Sequence, residues 1–208
     1  MEKDTLEVKF PAERAQPTKR SVLEKLSRVY DPLGLVSPTT LSGKLLYREA
    51  CELKIPWDIQ LPDGLIKELS KWEEGLPADI TMPRPLTAHR ENITKIDPHC
   101  FGDASGRGVS AALYAVVTQP SGVSVGLVTA KEGLAKQGLS IPRLELVSGH
   151  MATNLITNTR DALEGFPVGE LHCWLDSTVA LHWIRRADDY KQFLSNRVSK
   201  IQQHSDVK

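Results

Sequence analysis

The chain has 208 residues and a mass of 23.0 kDa, enough for one large domain or two small ones with a core that needs no disulfide staples. Its 26 basic and 26 acidic residues cancel, which excludes a histone-like polycation and an acidic tail protein. No apolar run reaches the roughly 18 residues of a membrane span, residues 1–20 carry charges where a signal peptide needs an apolar stretch, and Cys51, Cys100 and Cys173 fit free thiols in a reducing compartment.

Neutrality is only an average. From Arg14 to Lys54 eight basic residues face four acidic ones, and from Ile55 to Asp79 two face six. Residues 1–20, with Pro11 and Pro17 and no apolar period, read as a tail or severed linker. Ser21 is placed to cap a short helix with Val22, Leu23 and Leu26 inward, and Asp31-Pro32-Leu33-Gly34 supplies turn chemistry to end it. Ser37-Pro38 opens a second helix with Leu41, Leu45, Leu46 and Ala50 in helical period. Trp57, Leu61, Leu65, Leu69, Trp72 and Leu76 continue a helical segment, so 21–80 reads as one helical region. Pro83 and Pro85 mark 81–96 as a linker.

From residue 97 the pattern changes to strands. Cys100–Asp103 reads as a short buried strand, Val109–Val117 as a second, and the alternation of Val123, Val125, Leu127 and Thr129 as a third, in an antiparallel meander. Ser140-Ile141-Pro142 opens a long helix with Leu144, Val147, Met151, Leu155, Asn158 and Ala162 inward and Gly165 at its end. Leu171–Asp176 is a fourth strand, reached through a helical crossover and so expected to run parallel to a neighbour. Ser177 caps a helix with Val179 and Trp183 on one side, and Asp188 or Asp189 caps a last helix carrying Tyr190, Phe193, Leu194, Arg197, Val198 and Ile201 on one face. The order is β-β-β-α-β-α-α.

Two of these strands end alike, in His99-Cys100-Phe101-Gly102-Asp103 and His172-Cys173-Trp174-Leu175-Asp176. Side by side and parallel, they would bring Asp103 and Asp176 together at their carboxyl ends, where open α/β sheets bind ligands. Glu145, in the first turn of the intervening helix, would point into the same crevice. Three acids without a basic partner repel one another, and oxygen-only ligation suits Mg²⁺ or Mn²⁺ better than Zn²⁺. A strand-end Asp followed by Ser also serves as a turn or helix cap, so the residues alone reach only an oxygen-ligand metal site set against a structural cap. Alternate strand residues face opposite sides of a sheet, which argues against zinc held by the two His-Cys pairs. Neither Asp103-Ala104-Ser105-Gly106 nor Asp176-Ser177-Thr178 fits the Asp-Thr/Ser-Gly of an aspartic protease.

Phe101-Gly102-Asp103-Ala104-Ser105, Ile141-Pro142-Arg143-Leu144-Glu145-Leu146 and Trp174-Leu175-Asp176-Ser177, in this order, resemble the RNase H-like region of BEL/Pao retrotransposon polyproteins. Arg28-Val29-Tyr30-Asp31-Pro32-Leu33-Gly34-Leu35 and Trp57-Asp58 resemble the segment joining reverse transcriptase to that region, and Phe193–Val198 with Ile201 resembles the helix after the third acid. The resemblance covers residues 21–205. It implies an α/β fold with an RNase H-like mixed sheet, three antiparallel strands plus a parallel fourth, in 97–208 after a small helical connection segment at 21–80. It implies that Asp103, Glu145 and Asp176 bind two Mg²⁺ or Mn²⁺ ions and cleave the RNA strand of an RNA–DNA hybrid during reverse transcription. Ser105 and Ser177 are candidates for positioning the acids or substrate, and equally for caps. Arg185, Arg186, Lys191, Arg197 and Lys200 are candidate nucleic-acid contacts, and equally a solvated helix face.

The resemblance also implies a further strand and a helix bearing a fourth acid, in an Asn-Pro-Ala-Asp-like segment that this chain does not contain; Asp206 comes too early to replace it. The domain is thus expected to be C-terminally incomplete and the fragment to have little or no nuclease activity. The partners implied are the hybrid and the rest of the Pol polyprotein, with its reverse transcriptase and integrase regions, in the cytoplasm, in retroelement particles or in the nucleus, with no membrane association. The competing reading is a catalytically dead relic or connection-type module that binds nucleic acid or acts as a scaffold.

Overall fold

The computed structural model describes residues 4–186, 189–204 and 206–208. They fall into two compact units, 1–84 and 85–208.

In the first unit, β1 (Thr5–Lys9) pairs antiparallel with β2 (Asp79–Pro83), Val8 opposite Ile80. Residues 1–20 are therefore more than the tail expected, and 81–83 more than linker. The inward residues Val8 and Phe10 are too few to declare a strand until Ile80 and Leu76 pack on them. Helix α1 (Lys19–Ser27) is capped by Thr18, whose Oγ1 accepts from the Ser21 backbone at 3.3 Å, so the expected Ser21 cap is displaced by three residues. Val22 is buried but Leu23 is exposed. Asp31 then accepts from the amides of Leu35 and Val36, and Gly34, at φ 70°, turns the chain into α2 (Ser37–Glu52).

The expected helix from Trp57 to Leu76 is shorter: α3 spans Asp63–Glu74, because Pro62 sits at its N-cap and the preceding residues turn. Trp57 lies outside it, beneath the cations of Lys19 and Arg20 at 4.7 and 5.7 Å. Trp72 does anchor the unit, donating to the Thr39 carbonyl at 3.0 Å and lying over Gly43, where a Cβ would meet its ring at 2.5 Å.

The second unit is a four-stranded mixed sheet in the order β5-β4-β3-β6. Strand β3 (Lys95–Ala104) pairs antiparallel with β4 (Gly108–Gln119), and β4 antiparallel with β5 (Gly122–Leu134), with a bulge between Leu113 and Tyr114. Strand β6 (His172–Trp174) runs parallel to β3, as the crossover through α4 (Ile141–Ala162) requires. The fold is thus α/β with three antiparallel strands and a parallel fourth. Extended backbone at Val207–Lys208 pairs with the outer edge of β6. The segment before β3, expected as linker, is tied to the sheet by buried Gln119, whose amide accepts from the His89 backbone and donates to the carbonyls of His89 and Glu91.

Helix α4 covers the face of the sheet bearing Cys100, Ala111 and Leu113. Its buried positions are Leu144, Glu145, Leu146, Ser148, Gly149, Ala152, Thr153, Ile156 and Thr157, not the expected single stripe; Asn158 and Ala162 are exposed. The helix is enclosed on two sides, by the sheet and by α6 (Gln192–Gln202), and small or hydroxylic residues fill the closest contacts while their hydroxyls bond back to the helix. Between them, α5 (Thr178–Arg185) is capped by Ser177, whose Oγ accepts from the Ala180 amide at 3.3 Å. Ala180 is its buried residue and Val179 is exposed, contrary to expectation. Lys191 stands at the N-cap of α6 without a side-chain cap bond, so Asp189 does not cap it; Asp188 lies outside the described residues.

Candidate functional site

In the parallel register Phe101 faces Trp174, and two residues on, each strand presents its acid, Asp103 from β3 and Asp176 after β6. Glu145 lies just past the first turn of α4 rather than in it. One carboxylate oxygen from each of Asp103, Glu145 and Asp176 lies within 4.8 Å of the other two. Asp103 and Asp176 are exposed, whereas Glu145 is 5% exposed.

The approach is set by residues without charge. At Gly102 a Cβ would meet the Ser148 carbonyl at 3.0 Å and Leu175 at 2.9 Å, and at Gly149 it would meet Leu175 at 2.7 Å. Gly102, Gly149 and the wedge of Leu175 thus let α4 lie directly on β3 and deliver Glu145 to the strand ends. Leu175 stands in the sequence only as part of the fourth strand and its motif, and the signal for this close approach is a glycine in mid-helix, Gly149.

The Ala104 backbone N–H donates to Asp103 Oδ1 at 2.8 Å and Glu145 Oε1 at 3.2 Å. Glu145 Oε2 is buried without a hydrogen-bond partner among the described residues. Burial, and then the charges of Asp176 and Asp103, raise the Glu145 carboxyl above its ordinary value, against the Ala104 amide. No basic side chain among the described residues forms an ion pair with any of the three acids. A buried, unsatisfied carboxylate oxygen beside two acids, with oxygen ligands alone, fits a hard divalent cation.

The remaining predicted residues distribute around this cluster. Ser105 Oγ accepts from the amides of Arg107 and Gly108, closing the β3–β4 turn, and Ser177 caps α5, so both hydroxyls have structural partners. Arg185 and Arg186 lie exposed at the end of α5 and Lys191 exposed before α6; Arg197 and Lys200 lie on α6. Asp206 pairs with Arg160 at the far end of α4, away from the cluster. His99 stacks on His172 at 4.7 Å on the open face of the sheet, while Cys100 lies in the core on the opposite face, so each His-Cys pair is divided between the two faces.

Among curated proteins, none matches the chain. Solved structures similar to it include an archaeal and a viral one. An RNase H1 from the halophilic archaeon Halobacterium salinarum NRC-1 shares 17% identity over 52% of this chain and 75% of its own, with a TM-score of 0.31. A foamy viral protease–reverse transcriptase, in complex with double-stranded DNA, shares 10% identity over 90% of this chain, with a TM-score of 0.44; the alignment spans only 33% of the viral chain. The family model described as the Pao retrotransposon-like RNaseH-like domain matches residues 18–177, a span that holds Asp103, Glu145 and Asp176. With most of its length inside that match, the chain belongs to the Pao retrotransposon-like RNaseH-like domain family.

Proposed function

We propose that the carboxylate cluster binds two Mg²⁺ or Mn²⁺ ions and hydrolyses the RNA strand of an RNA–DNA hybrid, as part of a longer retrotransposon polyprotein that also carries reverse transcriptase and integrase regions and works inside the cell. The observation that carries this reading is the convergence of one carboxylate oxygen each from Asp103, Glu145 and Asp176 within 4.8 Å, with Glu145 Oε2 buried and unpartnered among the described residues. Asp103, Glu145 and Asp176 would hold the ions, which when bound supply charge neutralisation, activation of water and stabilisation of the departing 3′ oxygen. Ala104 orients Asp103 and Glu145 through its shared N–H. Glu145, buried and raised in pKa, is the acid whose ionisation depends most on the incoming positive charge. Selectivity for the RNA strand would come from contacts to 2′-hydroxyls across the minor groove, and the basic residues of α5 and α6 are candidates for phosphate contact.

The test is titration of the full chain with Mn²⁺ by calorimetry, together with cleavage of an end-labelled RNA–DNA hybrid. We expect saturable Mn²⁺ binding that Asp103→Asn weakens at least about tenfold, and little or no cutting of the RNA strand by this chain alone, any residual Mn²⁺-dependent cutting being lost in Asp103→Asn. A wild-type chain that binds no Mn²⁺, or cleavage indifferent to Asp103→Asn, overturns the proposal.

A further inference from the structure

Helix α6 packs along α4 in the same direction: Arg143 meets Phe193 near the start of both helices, Leu146 packs with Leu194 and Val198, and Arg160 meets Asp206 at the far end. On α6, Phe193, Arg197 and Lys200 recur every three or four residues, with His204 just past the helix end, and form one stripe beside the inward row of Leu194, Val198 and Ile201. On α4, Arg143, His150 and Asn154 form the stripe that faces it.

The groove between these stripes concentrates positive charge without counter-charge. Arg197 lies over the Phe193 ring at 3.9 Å and Arg143 near the same ring at 5.9 Å. Arg197 Nη1 donates to the Phe193 carbonyl at 3.0 Å, yet its Nε is buried with no acceptor. Lys200, Arg197 and His204 all bear electrostatically on half-buried His150, whose ring shares a hydrogen bond with Asn154 at 3.3 Å. None of Arg143, His150, Arg197, Lys200 and His204 is ion-paired with a carboxylate among the described residues; the first acid along the groove is Asp206, already held by Arg160. A partly buried guanidinium with a free donor is costly unless something outside the chain accepts from it.

We propose that the row between α4 and α6, lined by Arg143, His150, Arg197, Lys200 and His204, is a track for the sugar–phosphate backbone of a bound RNA–DNA hybrid. The proposal rests on the hybrid-cleavage reading and adds to it the path of the strand. Arg143 and Glu145, two residues apart on α4, point to opposite sides of the helix, so the track runs on the face of α4 turned away from the acids. From Arg143 to His150 α4 advances about 10 Å at a rise of about 1.5 Å per residue, so the row is long enough to meet more than one phosphate. Arg197 supplies a planar fork pre-set by Phe193, and Lys200 and His204 supply mobile donors along the same row.

The experiment measures binding of a fluorescein-labelled RNA–DNA hybrid to the full chain by anisotropy across a salt series, with Ca²⁺ in place of Mg²⁺. The surface double variant Lys200→Gln/His204→Gln is expected to weaken binding about tenfold and to lower the slope of log Kd against log salt by about one to two. Arg197→Gln, checked by thermal melting for folding, is expected to do the same. Unchanged affinity and slope in the groove variants overturn the proposal, as does failure of the wild-type chain to bind the hybrid. Equal competition by polyglutamate of matching charge also overturns it, because the occupant would then be an acidic protein segment. Groove-dependent binding by a chain that takes up no Mn²⁺ sustains the track and removes the metal-cluster reading; Mn²⁺ uptake with groove-indifferent hybrid binding does the reverse.

Discussion

The two units treat buried charge in opposite ways. In the first, Lys25 and Glu73 are each 6% exposed and meet at 2.9 Å, with Lys25 also donating to the Glu13 carbonyl and Glu73 accepting from the Ala15 amide. Every element of that pair is matched within the unit, and its effect is to tie the segment around residues 13–15 to α1 and α3. In the second unit Glu145 Oε2 and Arg197 Nε are buried without partners, one beside two more acids and the other in a row of cations. A matched buried pair holds a fold together; unmatched buried charges of opposite sign, set apart on one helix pair, are groups held ready for ligands.

The sharpest way to break this contrast is to unmatch the first pair. Glu73→Gln leaves the Lys25 ammonium buried without its counter-charge and should cost about 3–5 kcal/mol of stability in urea unfolding, whereas Lys25→Met/Glu73→Leu should cost far less. A loss no larger than that of a surface substitution would show the pair to be incidental. Next in size is the close approach that delivers Glu145. Gly102→Ala places a Cβ at 3.0 Å from the backbone oxygen of Ser148 and should cost about 1–3 kcal/mol, with weakened Mn²⁺ binding because α4 is pushed off β3. Unchanged stability and metal affinity would remove that packing from the account of the site.

Glu145 itself should behave in the opposite sense to Glu73. Its carboxyl is raised in the folded protein, so the stability it contributes is complete below its ordinary value and is lost as pH rises through the raised one. Glu145→Gln should therefore raise Tm by a few degrees at neutral pH and flatten the pH dependence above the carboxylate range, while abolishing the stabilisation that Mn²⁺ gives the wild type. A drop in Tm at neutral pH would mean that the acid is structurally satisfied.

The smallest effect concerns His150. Burial, then the charges of Lys200, Arg197 and His204, lower its pKa, so the stability linked to it is present above the ordinary histidine value and is lost as pH falls from there through the lowered one. Melting curves of His150→Gln should lose that acid-side slope, and bound hybrid should restore the wild type's stability there. A variant with the wild-type slope would place the source elsewhere.

Much of the second unit was legible because its signals are local. The apolar runs of β3, β4 and β5, the crossover logic that made β6 parallel, and the Ser177 cap each depend on a few neighbouring residues. The three acids were legible through position: two at matching strand ends and one near a helix start. The first unit hid more. Strand β1 becomes a strand only because β2, some seventy residues later, supplies its hydrogen bonds. The α4 face was misread because Ser148, Gly149, Thr153 and Thr157 look polar or small, yet close packing selects them where two layers press on one helix.

By itself, then, the sequence determined the order of the strands and helices in the second unit, its fold class and the placement of three acids toward one crevice, because hydrophobic period, turn chemistry and strand-end placement act over short stretches of chain. Tertiary structure decided what surrounds those acids: that Gly102, Gly149 and Leu175 bring Glu145 within reach, that one of its oxygens goes unsatisfied, and that Arg197 and His150 share a groove without an acid. Desolvation and the absence of a counter-charge belong to pairs of elements distant in sequence, and only packing creates them.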